Sequence, residues 1–232
     1  LKAMKLVMFD IDGTLIDSNE VESICFGQAI EELFEAYGVS HDWSLYESAT
    51  DIGIIDELSL RYRGSGIANT EIEAFKTRYF DLLKSRLTAD PSLIRPVAGV
   101  TKLLESLRTL DTYGISVATG GFQLTANLKL AHVGISLDGI PSGFSDDSIR
   151  KDNIMQIALG RAKSAYQVRG FEAIIYIGDA SHDAIASRRL GFGFIGIGSG
   201  DRIPRLQSFG AKYVIPNFSD VDQFFEIINS YP

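Results

Sequence analysis

The stretch Lys5-Leu6-Val7-Met8-Phe9-Asp10-Ile11-Asp12-Gly13-Thr14 decides the fold. A short apolar run, too brief for a helix, breaks abruptly into two aspartates and a glycine, as a buried strand does when it ends in a polar turn. Runs of the same kind recur at Gly114-Ile115-Ser116-Val117-Ala118, Ala173-Ile174-Ile175-Tyr176-Ile177 and Gly193-Phe194-Ile195-Gly196-Ile197. A weaker one lies at Lys212-Tyr213-Val214-Ile215. Between them, residues 100–110 place Leu103, Leu104, Leu107 and Leu110 at helical spacing, and 153–165 and 184–190 behave similarly. Strands alternating with helices predict right-handed crossovers and an α/β, doubly wound, mostly parallel sheet covered on both faces.

One region breaks that alternation. From Ser18 to Arg95 no strand is evident, and the pattern predicts successive helices over 19–37, 51–63 and 70–87, punctuated by Gly38, Gly64-Ser65-Gly66 and Asp90-Pro91. The sequence therefore predicts an all-helical module at 18–95 inserted into a discontinuous α/β core made of 1–17 and 96–232.

Composition limits the chemistry. The chain has 232 residues and a formal net charge of −8, large enough to bury roughly 70% of its unfolded surface without a disulfide or structural metal. Its single cysteine, Cys25, cannot form an intramolecular disulfide and points to a reducing compartment. No apolar run approaches the ~20 residues of a membrane span. The first residues lack the order of a signal peptide, with Leu1-Lys2-Ala3 before Met4 read as a cloning remnant. A cytoplasmic protein is expected, and net acidity argues against nucleic-acid binding. The same acidity poses a problem for an anionic substrate. Of the 30 acidic and 22 basic residues, 14 and 7 fall within 18–95, so the excess belongs to the helical module. Its outward faces are expected to carry that charge and its core-facing side to be much less acidic.

At the carboxyl end of a parallel strand, Asp10 and Asp12 project to one side, where open α/β sheets bind ligands. Two close carboxylates repel unless they share a cation, and a hard divalent ion such as Mg²⁺ suits oxygen ligands. Asp-x-Asp-Gly is also ordinary turn chemistry, and the ends of the other strands tip the balance. Thr119-Gly120-Gly121 offers a hydroxyl and free amides at a helix N-terminus, suited to phosphate oxygens. Gly178-Asp179-Ala180-Ser181-His182-Asp183 adds two carboxylates, and Arg150-Lys151 adds cationic charge.

In that order, Asp10-Ile11-Asp12-Gly13-Thr14, Thr119, Lys151 and Gly178-Asp179 with Asp183 resemble the four motifs of the haloacid dehalogenase superfamily. The resemblance spans the chain. It is narrower to the phosphatases with a helical cap between the first and second motifs, the phosphoglycolate phosphatase-like group with its Rossmann-like core. It implies a Mg²⁺-dependent phosphomonoester hydrolase acting on a small phosphorylated metabolite, as a monomer or weak dimer. In it, Asp10 is the nucleophile that becomes an aspartyl-phosphate, and Asp12 is the general acid and then base. Thr119, Gly120 and Lys151 grip the phosphoryl group. The Asp10 side chain, the Asp12 backbone carbonyl and Asp179 hold Mg²⁺, with Asp183 as a further ligand or a support to one.

Rival chemistries diverge at identifiable residues. Cleavage of a carbon–halogen bond needs no acid at the position of Asp12, and phosphonate-cleaving relatives carry Ala there. A phosphosugar mutase of the β-phosphoglucomutase type would need cap groups that hold a sugar in two orientations, and none is identifiable. Signalling receivers place their acidic pair and phosphoacceptor on different strands, unlike Asp10 and Asp12. Two positions depart from the phosphatase pattern: Gly120 stands where Asn is frequent, and Asp152 where Pro is frequent. Arg150 is a competitor to Lys151 for the phosphate.

Asp17-Ser18 and Thr50-Asp51-Ile52-Gly53 are the candidates for specificity and closure, with Asp17, Thr50 and Gly53 foremost. An Asp-started helix with a tolerated glycine explains the latter segment equally well. His182 is read as a surface-loop residue, His41 and His132 as structural, and Cys25 as a small buried apolar group. Phe34, Tyr37, Trp43 and Tyr46 are expected to pack the cap, Gly198-Ser199-Gly200 to be structural, and Arg188-Arg189 to lie on a solvated helix end.

Overall fold

The apolar run at the N-terminus forms β1 (Lys5–Phe9), and the computed structural model builds the rest of the sheet on both of its sides. The structure describes residues 4–35, 40 and 42–232. The readings made at residues 1–3, Tyr37, Gly38 and His41 lie outside the described residues. In chain order the remaining elements are β2 (Ile16–Asp17), α1 (Asn19–Phe34), α2 (Asp51–Arg63), α3 (Asn69–Ala89), β3 (Arg95–Pro96), α4 (Val100–Arg108), β4 (Tyr113–Ala118) and α5 (Gln123–His132). They continue as β5 (Ser142–Gly143), α6 (Lys151–Ala165), β6 (Ile174–Gly178), α7 (Ser181–Leu190), β7 (Gly193–Ile197), α8 (Arg202–Ser208), β8 (Tyr213–Ile215) and α9 (Val221–Asn229).

Six strands form one parallel sheet in the order β5-β4-β1-β6-β7-β8. β1 therefore sits where the winding reverses, between β4 and β6, and the ends of these strands open a crevice. Alternation within β1 explains the layers: Val7 and Phe9 enter one apolar cluster, with α4 and α9, while Leu6 and Met8 enter the other, with α6 and α7.

Among the described residues between β2 and β3 there are three α-helices and two short 3-10 turns and no strand, as the periodicity predicts. β2 and β3 pair antiparallel, Ile16 with Pro96 and Asp17 with Arg95, so the chain leaves and re-enters through one two-stranded ribbon. Inside the helical region Phe26 packs edge-on against Trp43, Phe75 and Tyr79 at centroid distances of 5.3, 5.1 and 5.3 Å. Phe75 also meets Phe122 at the start of α5, at 6.3 Å, and Lys76 pairs with Asp146 at 2.6 Å. Cys25 is fully buried, as expected of a small apolar group.

Several boundaries differ from the sequence reading. α1 ends at Phe34, short of 37, with Glu35 in the left-handed region at φ 50°. α6 begins at Lys151 and α7 at Ser181, earlier than their apolar periods because polar residues form their first turns. Of α5 the sequence reading anticipates only the start, as the helix N-terminus after Thr119-Gly120-Gly121, and not the extent. Its buried stripe, Thr125, Ala126, Lys129 and Leu130, contains a threonine and a lysine that dilute the apolar signal.

Candidate active site

Asp10 follows the last residue of β1, its amide bonded to Ile177 O at 2.9 Å. The chain then doubles back sharply through Gly13 at φ +73°. A Cβ at Gly13 would lie 2.0 Å from Asp179 Oδ2, so glycine serves both the turn and the approach of a second carboxylate. Beyond β6, Asp179 and Asp183 complete a group with Asp10 whose ligand oxygens all lie within 4.8 Å of one another.

These three carboxylates repel one another. Burial, reinforced by Asp183 and Asp10, pushes Asp179 up to about 8, although Asn19 Nδ2 and Arg202 Nη1 each reach it at 3.1 Å. Burial likewise pushes Asp10 up to about 6 against the opposing charge of Lys151. Lys151 Nζ lies 2.8 Å from Asp10 Oδ1 and 3.1 Å from Asp183 Oδ1. Burial disfavours that ammonium, but the two aspartates outweigh it and hold it above its ordinary value. Three clustered carboxylates against Lys151 and the half-exposed Arg202 still leave a net negative site, which fits a hard divalent cation.

Above this floor lies a cavity of about 120 Å³, lined by Asp10, Asp12, Thr119, Gly120, Gly121, Lys151 and Asp183, and from the helical region by Glu22, Phe26, Trp43 and Asp51. Thr119 is buried at the end of β4, its Oγ1 accepting from Gly121 N at 3.1 Å. A Cβ on Gly120 would fall 2.6 Å from Ala49 O, and Asp51 N donates to Gly120 O at 2.8 Å. Glycine at the position of the more frequent Asn thus admits the backbone preceding α2. A larger open groove of about 750 Å³, lined by residues such as Gln123, Asn127 and Arg161, lies away from the carboxylates.

Asp12 is held through one oxygen. Its Oδ1 accepts from Ser18 Oγ at 2.5 Å and from Lys129 Nζ at 2.6 Å. Lys129, fully buried on α5, also reaches Glu22 Oε1 at 2.5 Å, and Tyr79 donates to the same oxygen at 3.1 Å. Burial opposes the Lys129 charge, and Asp12 and Glu22 outweigh it. Burial and the Asp12 charge push Glu22 up to about 7.

Asp10, Asp12, Thr119, Gly120, Lys151 and Asp183 thus meet in one cavity, with Asp179 beside Asp10. The remaining candidates do not join them. Asp17 is exposed on β2 and faces Arg95 at 3.5 Å, because the ribbon turns it outward. Thr50 is buried as the N-cap of α2, accepting from Gly53 N at 3.1 Å and donating to Ile149 O at 2.7 Å. Gly53 is buried against Ser48 and Thr50 and lines a neighbouring groove. Asp51, between them, is the residue of that segment that enters the cavity. Arg150 pairs with Asp152 at 2.5 Å on the surface, leaving Lys151 as the cation at Asp10.

Two expectations are corrected. His182 belongs to the first turn of α7, not a surface loop, and lines the cavity half-buried, with burial holding it below its ordinary value. The core-facing side of the helical region is not cleared of acid: Glu22 and Asp51 both turn inward, offset in part by Lys129. Sequence reasoning missed Lys129 and Glu22, whereas Ser18, named there with Asp17, is the one of that pair that reaches Asp12. A signal existed: Lys129 and Glu22 each interrupt the apolar stripe of their helix, beside Ala126 and Leu130 and beside Val21 and Phe26.

The model of the haloacid dehalogenase-like hydrolases matches residues 7–197. No curated protein matches the chain. Among solved structures, a hydrolase from Pseudomonas syringae is similar at 22% identity and TM-score 0.73, covering 97% of this chain and 99% of that one. A protein from Bacteroides vulgatus, provisionally described as a β-phosphoglucomutase, is 20% identical with TM-score 0.70, covering 99% and 90%. A predicted phosphoglycolate phosphatase from Haemophilus somnus is 17% identical with TM-score 0.59, covering 96% and 98%.

Proposed function

Because the chain belongs to the haloacid dehalogenase-like hydrolase family, we propose that it hydrolyses phosphate monoesters of small metabolites, with Asp10 as the nucleophile. The observation that carries this reading is the position of Asp10. Its carboxyl lies at the floor of a small cavity, one oxygen bound by Lys151 at 2.8 Å, with Asp12 lining the same space.

In this reading Asp10 attacks phosphorus as the bond to the leaving oxygen breaks, and Asp12 gives that oxygen a proton. Water then attacks the aspartyl-phosphate, Asp12 takes its proton, and the bond between phosphorus and the Asp10 oxygen breaks. Oδ1 of Asp12 is engaged by Ser18 and Lys129, which leaves Oδ2 for these transfers. Thr119 and the Gly120 and Gly121 backbone border the phosphoryl group, and Lys151 offsets its charge. Asp10, Asp179 and the Asp12 carbonyl, with Asp183, would hold Mg²⁺. That ion would supply positive charge for the phosphoryl oxygens. Residues 18–95, with helices α1–α3, serve as a cap over the site, excluding water and limiting substrate size.

The test is phosphate release from a panel of phosphorylated metabolites and an aryl phosphate, with Mg²⁺ and with chelator. Turnover is expected with Mg²⁺ and loss of it in Asp10→Asn. An inactive wild type, or an active Asp10→Asn, refutes the proposal.

A further inference from the structure

The cavity is electrostatically lopsided beyond the needs of phosphate chemistry. Away from Lys151, three carboxylates border it: Asp12, Glu22 and Asp51. Lys129 is the cation of that side among the described residues, and it is committed, fully buried with Asp12 and Glu22 at 2.6 and 2.5 Å.

Asp51 is different from its neighbours. It is 9% exposed and its Oδ2 accepts a single backbone hydrogen bond, from Phe122 N at 2.8 Å. Its Oδ1 has no hydrogen-bond or ion-pair partner among the described residues and belongs to the cavity wall. Burial and the nearby Glu22 charge push Asp51 well above the ordinary carboxylate range. A buried carboxyl with one oxygen left for the cavity, beside a second carboxyl, is neutralised either by a proton or by a cation that enters the cavity. Phe26 and Trp43 supply aromatic surface on the same side, which suits short carbon chains and ammonium groups.

We propose that the substrates are phosphate esters of short amino alcohols, with the ammonium group received by Asp51 and Glu22 while the phosphate sits against Lys151 and Asp10. This rests on the hydrolase reading and names its substrate class. An ester whose alcohol half ends in a carboxylate would bring an anion among three others, where the one lysine is already paired. The family resemblance to phosphoglycolate phosphatases does not extend to that substrate. An uncharged diol ester falls between the two.

The experiment uses the full chain with Mg²⁺ and three phosphate esters of matched length: of ethanolamine, of ethylene glycol and of glycolate. The expected kcat/KM order is ethanolamine, then glycol, then glycolate, with about tenfold or more at each step, a factor of ten being about 1.4 kcal/mol. Asp51→Asn should compress the order mainly by raising KM for the ethanolamine ester, and Glu22→Gln should do the same. Far-UV circular dichroism checks that each variant folds, and Asp51→Asn, which keeps an acceptor for Phe122 N, carries the test if Glu22→Gln does not. Equal or better turnover of the glycolate ester, or an order unchanged by Asp51→Asn, overturns the inference. If an aryl phosphate is hydrolysed without any charge order, the substrate class fails and the hydrolase reading stands. If no ester is hydrolysed, both fall.

Discussion

Lys129 Nζ lies 2.6 Å from Asp12 Oδ1, so a wholly buried ammonium on α5 fixes one oxygen of a carboxylate seven positions after the start of β1. The same nitrogen binds Glu22 on α1, which ties the helical region to the strand end. Lys129→Met should therefore leave two partly buried carboxylates facing each other, at a cost of up to about 3–5 kcal/mol. Denaturant unfolding measures this. Adding Glu22→Gln should recover part of the loss, whereas independent sites would give additive losses. On activity, kcat should fall more than KM changes, since Lys129 positions Asp12 without occupying the phosphate end.

Gly120→Asn would install the side chain frequent in the resembling phosphatases, but its Cβ falls 2.6 Å from Ala49 O. The backbone before α2 must shift to accept it, at a cost of about 1–3 kcal/mol. A lowered melting temperature and a raised KM are expected. Unchanged values would show that the approach of Ala49 is not constrained.

The acidic floor gives a pH dependence with a definite sign. Asp179 is raised to about 8 and Asp10 to about 6 from ordinary values near 3.8. Groups with raised carboxyl values hold protons in the folded state that the unfolded chain releases, so metal-free stability should fall as pH rises from about 4 to 8. A divalent cation binds the deprotonated set and opposes this loss. Melting curves should show a larger Mg²⁺ stabilisation at pH 8 than at pH 5, and an equal or reversed effect would contradict the metal assignment.

The strand ends were legible because β1, β4, β6, β7 and β8 each announce themselves by a short apolar run, and the polar residues directly after such a run stand at one edge of the sheet; β5, a Ser-Gly pair, has no such run and was not read. Asp10, Asp12, Thr119, Asp179 and Asp183 were found by that logic, and Lys151 as a cation at the start of a helix. Helix beginnings were read late at Lys151 and Ser181, since polar first turns carry no apolar period. The opposite wall was less legible. Whether Thr50, Asp51 or Gly53 faces the cavity depends on how α2 is rotated over β4, and spacing along one helix does not fix that. Lys129 was hidden because the sequence marks only the start of its helix, and the buried stripe mixes Thr125 and a lysine with Ala126 and Leu130.

The central claim is that Asp10 carries the phosphoryl group. An aryl phosphate with a phenolate leaving group needs little protonation, so Asp12→Ala should still accept the phosphoryl group but hydrolyse the acyl phosphate slowly. After acid quenching, mass spectrometry of Asp12→Ala incubated with p-nitrophenyl phosphate and Mg²⁺ should find one phosphoryl group on the peptide that contains Asp10, with one equivalent of nitrophenolate released in a burst. Nitrophenolate released with no phosphoryl group on Asp10, or with the label on another residue, would contradict the account.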